Sequence, residues 1–211
     1  MRSRELALLA TSAFRIFTLA VLLAVAACSQ RPKLERLPND AVVLAFGDSL
    51  TFGTGADENE SYPAQLERLI GRRVIRAGVP GEVTAQALAR LPQTLDEHAP
   101  RLLLLAIGGN DFLNRLGNAQ AEQNVRAMVK LARSRGVEVL LIGTPEPGLF
   151  VTPPEFYANI ANDLRIPYEG AVIAEVLKNA SLKSDPIHPN ARGYRVIAER
   201  VAAVLKKNGA L

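Results

Sequence analysis

The chain's pattern predicts an α/β fold: a single three-layer domain with a mostly parallel sheet of roughly five strands. Two observations carry this. Short apolar runs without alternation occur at Ala41–Ala45 and Leu102–Ile107, and Val137, Val139, Leu140, Leu141 and Ile142 make a further apolar segment, as expected of strands buried on both faces. Segments with helical spacing lie between them, and strands alternating with helices imply parallel pairing through crossover connections. With 211 residues, 48% of them hydrophobic, the chain is long enough for one domain with a substantial core.

The first run, ending at Ala45, leads into Phe46-Gly47-Asp48-Ser49-Leu50-Thr51-Phe52-Gly53. A glycine- and acid-rich loop, Gly53 to Glu60, precedes a helical pattern over Tyr62 to Ile70, which Gly71 ends as a left-handed cap. Val74 and Ile75 make a short second strand. Thr84 to Leu95 is helical in period, with a kink or break expected at Pro92. The central strand Leu102–Ile107 runs into Gly108-Gly109-Asn110-Asp111. A helix over Val125 to Ala132 closes near Gly136, and the strand through Ile142 ends at Gly143-Thr144-Pro145. Then come a helix near Pro154 to Leu164, a weak last strand around Arg165 to Tyr168, a short helical stretch over Gly170 to Leu177, and a closing helix over Ala191 to Leu205. No internal repeat or second domain is evident.

Residues 1–27 read as an export signal. They carry Arg2, Arg4 and Arg15, then an apolar run from Ile16 to Ala27 that is shorter than the roughly 20 residues of a spanning helix. Small residues Val25-Ala26-Ala27 precede Cys28, the only cysteine, which therefore has no disulfide partner within the chain. Val25-Ala26-Ala27-Cys28 resembles a bacterial lipoprotein signal, which implies lipidation of Cys28 and a tether over residues 28–39. Ser29 after the cysteine would then suit the outer membrane, facing the periplasm. The net charge of +4 falls to 22 basic against 20 acidic residues once 1–27 are removed. That balance is too even to argue for nucleic acid.

Residues of several chemical types follow the strand ends. Ser49 stands after the first strand, where a hydroxyl on a sharp turn is open to substrate; equally, such a serine can cap the next helix. A phosphate loop is disfavoured because no lysine follows Gly53. Of the two histidines, His98 precedes the central strand and so belongs to the opposite edge from Ser49. His188 lies in Asp185-Pro186-Ile187-His188-Pro189, where Asp185 can turn back onto its ring or can simply form an Asx turn. A serine nucleophile needs a base, and the base needs a group to orient it. Asn110 offers an amide donor and Gly81 an unobstructed N–H, both suited to an oxyanion.

Gly47-Asp48-Ser49-Leu50, Gly81, Gly109-Asn110-Asp111 and Asp185-x-x-His188-Pro189 together resemble the four sequence blocks of the GDSL, or SGNH, hydrolases. The similarity covers about residues 40 to 205 and is nearest the small bacterial thioesterase, lysophospholipase and arylesterase group. It implies the flavodoxin-like fold of that family over residues 40–211. It implies Ser49 as nucleophile, His188 as base and Asp185 as its orienting partner. The oxyanion hole would comprise the Ser49 and Gly81 N–H groups and the Asn110 amide, with Asp48 supporting the turn. The second block departs from the usual pattern at Pro80 and at Glu82-Val83.

The activity expected is hydrolysis of carboxylic esters or thioesters, with no cofactor and no metal, since no cluster has ligand spacing. Phe112, Leu116, Leu149 and Phe150 are candidates for an acyl pocket, and are equally explicable as loop packing. The expected partners are a small ester or lysolipid substrate and, through the anchor, a membrane; the protein is expected to be a monomer. Two other readings stand beside this: an O-acetylesterase acting on cell-wall or exported polysaccharide, and a lipid-anchored binding protein without catalysis.

Overall fold

Five parallel strands, in the order β2-β1-β3-β4-β5, make one sheet in the computed structural model, which describes residues 32–146, 148 and 151–211. They are β1 (Val42–Gly47), β2 (Arg73–Gly78), β3 (Leu102–Ala106), β4 (Glu138–Ile142) and β5 (Tyr168–Glu169). The helices are α1 (Ser49–Phe52), α2 (Tyr62–Ile70), α3 (Thr84–His98), α4 (Gly109–Leu113), α5 (Asn118–Ser134), α6 (Phe156–Leu164), α7 (Val172–Lys178) and α8 (Ala191–Lys207). Among the described residues no helix is long and apolar enough to cross a membrane.

Strand alternation explains the three layers. Val43, Ala45, Leu102, Leu104, Leu140 and Ile142 face α2, α7 and α8. Their neighbours Leu44, Phe46, Leu103, Leu105, Val139 and Leu141 face α3, α5 and α6. Both sets are buried, which is why the central strands read as unbroken apolar runs. Among the described residues, both cores and all five strands lie between Leu34 and Ala210.

Some elements differ from their sequence reading. Pro92 does not end its helix: α3 continues to His98. Leu91, Thr94 and Leu95 around the proline remain buried, so packing outweighs the missing hydrogen bond. β2 has six residues rather than two, because it pairs along the whole of β1, from Val42 opposite Arg73 to Gly47 opposite Gly78. α5 begins seven residues earlier than its apolar stripe, through the polar stretch Asn118–Asn124. β5 is only Tyr168–Glu169. The one-turn helices α1 and α4 are too short to leave a periodic signal.

The sheet order changes direction between β1 and β3, and in open α/β sheets this opens a crevice at the strands' carboxyl ends. Its depth depends on Gly47. A Cβ there would stand 1.9 Å from the Ala106 carbonyl oxygen and 2.6 Å from Thr51 Oγ1. Gly47→Ala should therefore force β1 and β3 apart. We expect a loss of about 2–3 kcal/mol in urea unfolding, at the upper end of the usual overpacking cost.

Candidate active site

Ser49 is the first residue of α1, immediately beyond β1. It does not cap that helix. Asp48 does, accepting the Leu50 N–H on Oδ1 at 3.0 Å. The hydroxyl of Ser49 is thereby left for another partner, and the half-buried side chain reaches His188, with Oγ 3.1 Å from Nε2.

His188 arrives on a loop held from both sides. Lys183 and Pro189 form an antiparallel bridge, and the Ser184 N–H donates to the His188 carbonyl at 3.0 Å. Asn190, which caps α8 through the Gly193 N–H, also donates from Nδ2 to the Ser181 carbonyl at 3.0 Å. Within this loop Asp185 performs both roles that its spacing allows. Its Oδ1 accepts the N–H groups of Ile187 and His188, each at 2.8 Å, as an Asx turn does. Its Oδ2 lies 2.7 Å from His188 Nδ1. Partial burial alone would raise the Asp185 carboxyl, but the hydrogen bonds from the His188 ring and the two backbone N–H groups bring it below its ordinary value. An ionised Asp185 has no proton to give, so Nδ1 carries the hydrogen and Nε2 presents a lone pair to Ser49.

Asn110 lies on α4, across the crevice beyond β3, and lines the same cavity as Ser49 and His188. One Nδ2 hydrogen goes to the Glu82 carbonyl at 3.0 Å, which orients the amide, and the second has no partner among the described residues. Gly81 is not among the cavity's lining residues. Its φ of 79°, with the Glu82 N–H closing on Val79 O at 3.1 Å, has the features of a type II turn, in which proline favours the position Pro80 occupies. This accounts for Pro80 despite its departure from the usual family residue. The turn is secured to α4: Thr84 donates to Asp111 from its N–H at 2.8 Å and its hydroxyl at 2.6 Å, and Asn124 donates to Thr84 Oγ1 at 2.9 Å. Glu82 in turn holds Arg90 through two hydrogen bonds, at 2.8 and 2.7 Å.

The cavity measures about 310 Å³. Among the described residues its apolar wall comes from Leu50, Leu113, Val151, Leu177 and Ile187. Phe112 is turned toward α6, its ring 6.3 Å from that of Phe156, and Leu116 is 52% exposed; neither lines the cavity. The reason is the short helix α4: Asn110 and Leu113, three apart, share a face, and Phe112 does not. Leu149, Phe150 and Cys28 lie outside the described residues. His98 ends α3, at the edge of the sheet away from Ser49. Among the described residues no group of three His, Cys, Asp or Glu side chains is placed to hold a metal.

A profile of the GDSL-like Lipase/Acylhydrolase family matches residues 45–196, most of the chain and all four blocks. The chain belongs to that family. It is a carboxylic ester hydrolase with the single α/β domain and parallel sheet of SGNH hydrolases. It is 30% identical over 172 residues to "Thioesterase 1/protease 1/lysophospholipase L1" of Escherichia coli K12, covering 78% of this chain and 83% of that one. It is 28% identical over 208 residues to an "Arylesterase" of Vibrio mimicus, covering 92% and 98%. Among solved structures, one described as TesA superposes with a TM-score of 0.71 at 28% identity, over 79% of this chain and 99% of the other.

Asp48 is 2% exposed, and its burial, reinforced by the nearby charges of Glu82 and Asp111, pushes its carboxyl from 3.8 up to about 7, although the Leu50 N–H pulls the other way. The folded state then retains a proton that the unfolded chain has released, so stability falls as pH rises from about 4 to about 7. We expect a decline of roughly 3 kcal/mol between pH 5 and pH 8 in urea unfolding, taking about 1.4 kcal/mol per pH unit up to the folded pKa. Asp48→Asn, which can still accept the Leu50 N–H, should flatten that profile.

Proposed function

We propose that the protein is an exported, lipid-anchored serine esterase acting on esters or thioesters with acyl or aryl groups larger than acetyl. The observation that carries this reading is the line Asp185–His188–Ser49, with 2.7 and 3.1 Å between successive partners. In it, Ser49 Oγ attacks the acyl carbonyl as its proton passes to His188 Nε2. Asp185 stabilises the imidazolium while remaining ionised. The Ser49 N–H and the free Asn110 amide hydrogen receive the oxyanion at the cavity. The Gly81 N–H, on the turn beside the Glu82 carbonyl that aims Asn110, is the third donor that the family resemblance implies, although Gly81 does not itself line the cavity. His188 then protonates the leaving alcohol or thiol, and the acyl group stays on Ser49. Water, deprotonated by His188, attacks this acyl-enzyme, and the acid departs as Ser49 regains its proton.

The cavity of about 310 Å³, with leucine, valine and isoleucine in its wall, favours an apolar acyl or aryl group over an acetyl group alone. That argues for the thioesterase, lysophospholipase and arylesterase type of substrate rather than a polysaccharide O-acetyl group. Export and anchoring rest on residues 1–28: the arginine-bearing front, the apolar run and the single cysteine at its end. We place the mature protein in the periplasm, held at the outer membrane through Cys28, with residues 28–39 as tether and 40–211 as the catalytic domain.

The test uses the soluble chain from Ser29 onward with p-nitrophenyl esters from acetyl to palmitoyl. Activity should peak above acetyl and vanish in Ser49→Ala. A fluorophosphonate that leaves the folded wild-type protein unlabelled, with no ester cleaved, would support the non-catalytic binding protein instead. Asn110→Ala should lower kcat by about 10²- to 10³-fold, the usual effect of losing one oxyanion donor. An unchanged kcat in that variant would remove Asn110 from the oxyanion hole.

A further inference from the structure

The even overall charge conceals a division between the two ends of the sheet. At the carboxyl ends, around the cavity, acids and cations nearly balance: Asp57, Glu58, Glu60, Glu146, Glu155 and Asp185 stand with Arg76, Arg115, Lys178, Lys183 and Arg192. Arg76 is already paired with Glu58 at 2.7 Å. At the amino ends cations are in excess. Lys33, Arg36, Arg73, Arg101, Lys206 and Lys207 are all exposed there.

Backbone contacts join these six cations into one surface. The Leu34 and Leu37 N–H groups donate to Asn208 and Ala210 carbonyls, both at 2.9 Å, which lays the Lys33–Arg36 segment beside the end of α8 that carries Lys206 and Lys207. Arg72 continues the surface, donating to the Leu37 carbonyl at 3.3 Å and to the Ile70 carbonyl at 2.7 Å. Arg73 stands opposite Val42 at the start of β1, and the Arg101 N–H donates to the Val42 carbonyl at 2.9 Å. Glu35, Asp40, Glu67 and Glu97 are the exposed acids interspersed among them, with half-buried Glu138 beside Arg101, so cations remain in excess over the patch; farther along this end Asp96 is held by Arg135 at 2.6 Å. Leu69, 43% exposed near the end of α2, adds an apolar group just before Arg72 and Arg73. The other large exposed apolar side chains, Phe52, Val79, Leu113, Leu116 and Ile187, all belong to the catalytic end.

We propose that this basic end docks on an anionic phospholipid bilayer, so that the active-site mouth faces away from the membrane. Charge complementarity gives the attraction, since each Lys or Arg close to an anionic surface adds favourably to binding. The position of the tether agrees with it: the chain enters the domain at Leu34, on this end. The geometry rests on the lipid-anchor reading above. Between Cys28 and Leu34 there are six residue steps, which reach about 20 Å at full extension. The six residues of β1 alone span roughly 17 Å between the two ends. A domain seated on its basic end therefore takes substrate from the aqueous side, and the exposed apolar groups at its mouth serve soluble or partitioning esters rather than lipids of the leaflet beneath it.

The experiment uses the chain from Ser29, which lacks Cys28 and contains both cores of the described residues, so that binding reports without the anchor. It is floated at low salt with vesicles of equal parts phosphatidylglycerol and phosphatidylcholine, and with phosphatidylcholine alone. The wild type should bind the anionic vesicles and not the neutral ones. Arg36→Glu/Lys206→Glu/Lys207→Glu should reduce the bound fraction at least tenfold while hydrolysing p-nitrophenyl butyrate at the wild-type rate. No anionic-vesicle binding by the wild type, or equal binding by the triple variant, would overturn the proposal. So would binding that survives the triple reversal but is lost in Leu113→Ser/Leu116→Ser, which would seat the mouth on the membrane. Labelling of Cys28 by fatty acid in cells tests the anchor separately, and ester cleavage tests the catalytic reading, so each can fail without the others.

Discussion

The buried carboxyl of Asp48 is the constraint on which the site depends. A strand must end and a helix begin within two residues, and the first N–H groups of that helix have no partners of their own. Asp48 supplies one through Leu50, with the serine next to it left uncommitted. Gly47 allows the turn to sit against the Ala106 carbonyl, where any side chain would collide. Had Ser49 been the cap, its oxygen would have pointed back into the helix and could not have met His188. The cost is a carboxyl held where ionisation is unfavourable, close to Glu82 and Asp111. Below about pH 7 a protonated Asp48 relieves that cost while keeping its acceptor oxygen.

A second set of contacts ties the oxyanion side to the same frame. Asn110 is aimed by a carbonyl of Glu82, whose carboxylate is clamped by Arg90, and Arg90 lies over the Phe46 ring at 4.1 Å. Phe46 is two residues from Asp48 on β1. The two sides of the crevice are therefore referenced to one strand, through backbone on one side and through a chain of polar and cation–π contacts on the other. Thr84, Asp111 and Asn124 reinforce this closure from within the core.

The sequence was most legible where the physics is local and repetitive. Continuous apolar runs marked the central strands because burial on both faces removes alternation, and the amphipathic helices α2 and α8 were read nearly to their observed limits. The Ser49 turn, Asn110 and the Asp185–His188 loop, which the structure gathers at one cavity, stand out in the sequence because each couples an unusual residue to a strand end or tight spacing. Less legible were features that come from tertiary packing. Edge strand β2 extends because β1 offers it a full ladder, and Pro92 is carried through α3 by buried neighbours on both sides. Two of the four candidates for the cavity wall, Phe112 and Leu116, lie elsewhere for a related reason. Leu113 belongs to it through a single turn of helix, whereas Phe112, more conspicuous in sequence, packs against Phe156 instead. A rule of three-residue spacing from Asn110 would have found Leu113; nothing local in the sequence pointed to Leu177, which comes from a helix beyond β5.

The separation between chemistry and cavity has a consequence for how such a site can vary. Ser49 and Asn110 are fixed from inside the sheet, by groups that are almost wholly buried. His188 is fixed by a loop whose partners, the Lys183–Pro189 bridge and the Asn190 cap, are local to it. Leu50 and Ile187 adjoin Ser49 and His188, but the rest of the apolar wall among the described residues comes from α4, the segment at Val151 and α7. A substitution at Leu113, Val151 or Leu177 changes the shape offered to an acyl or aryl group without touching the hydrogen bonds that align Ser49, His188 and Asp185. Substrate preference can shift in this framework while the line from Asp185 to Ser49 stays intact, because the two are held by different parts of the fold.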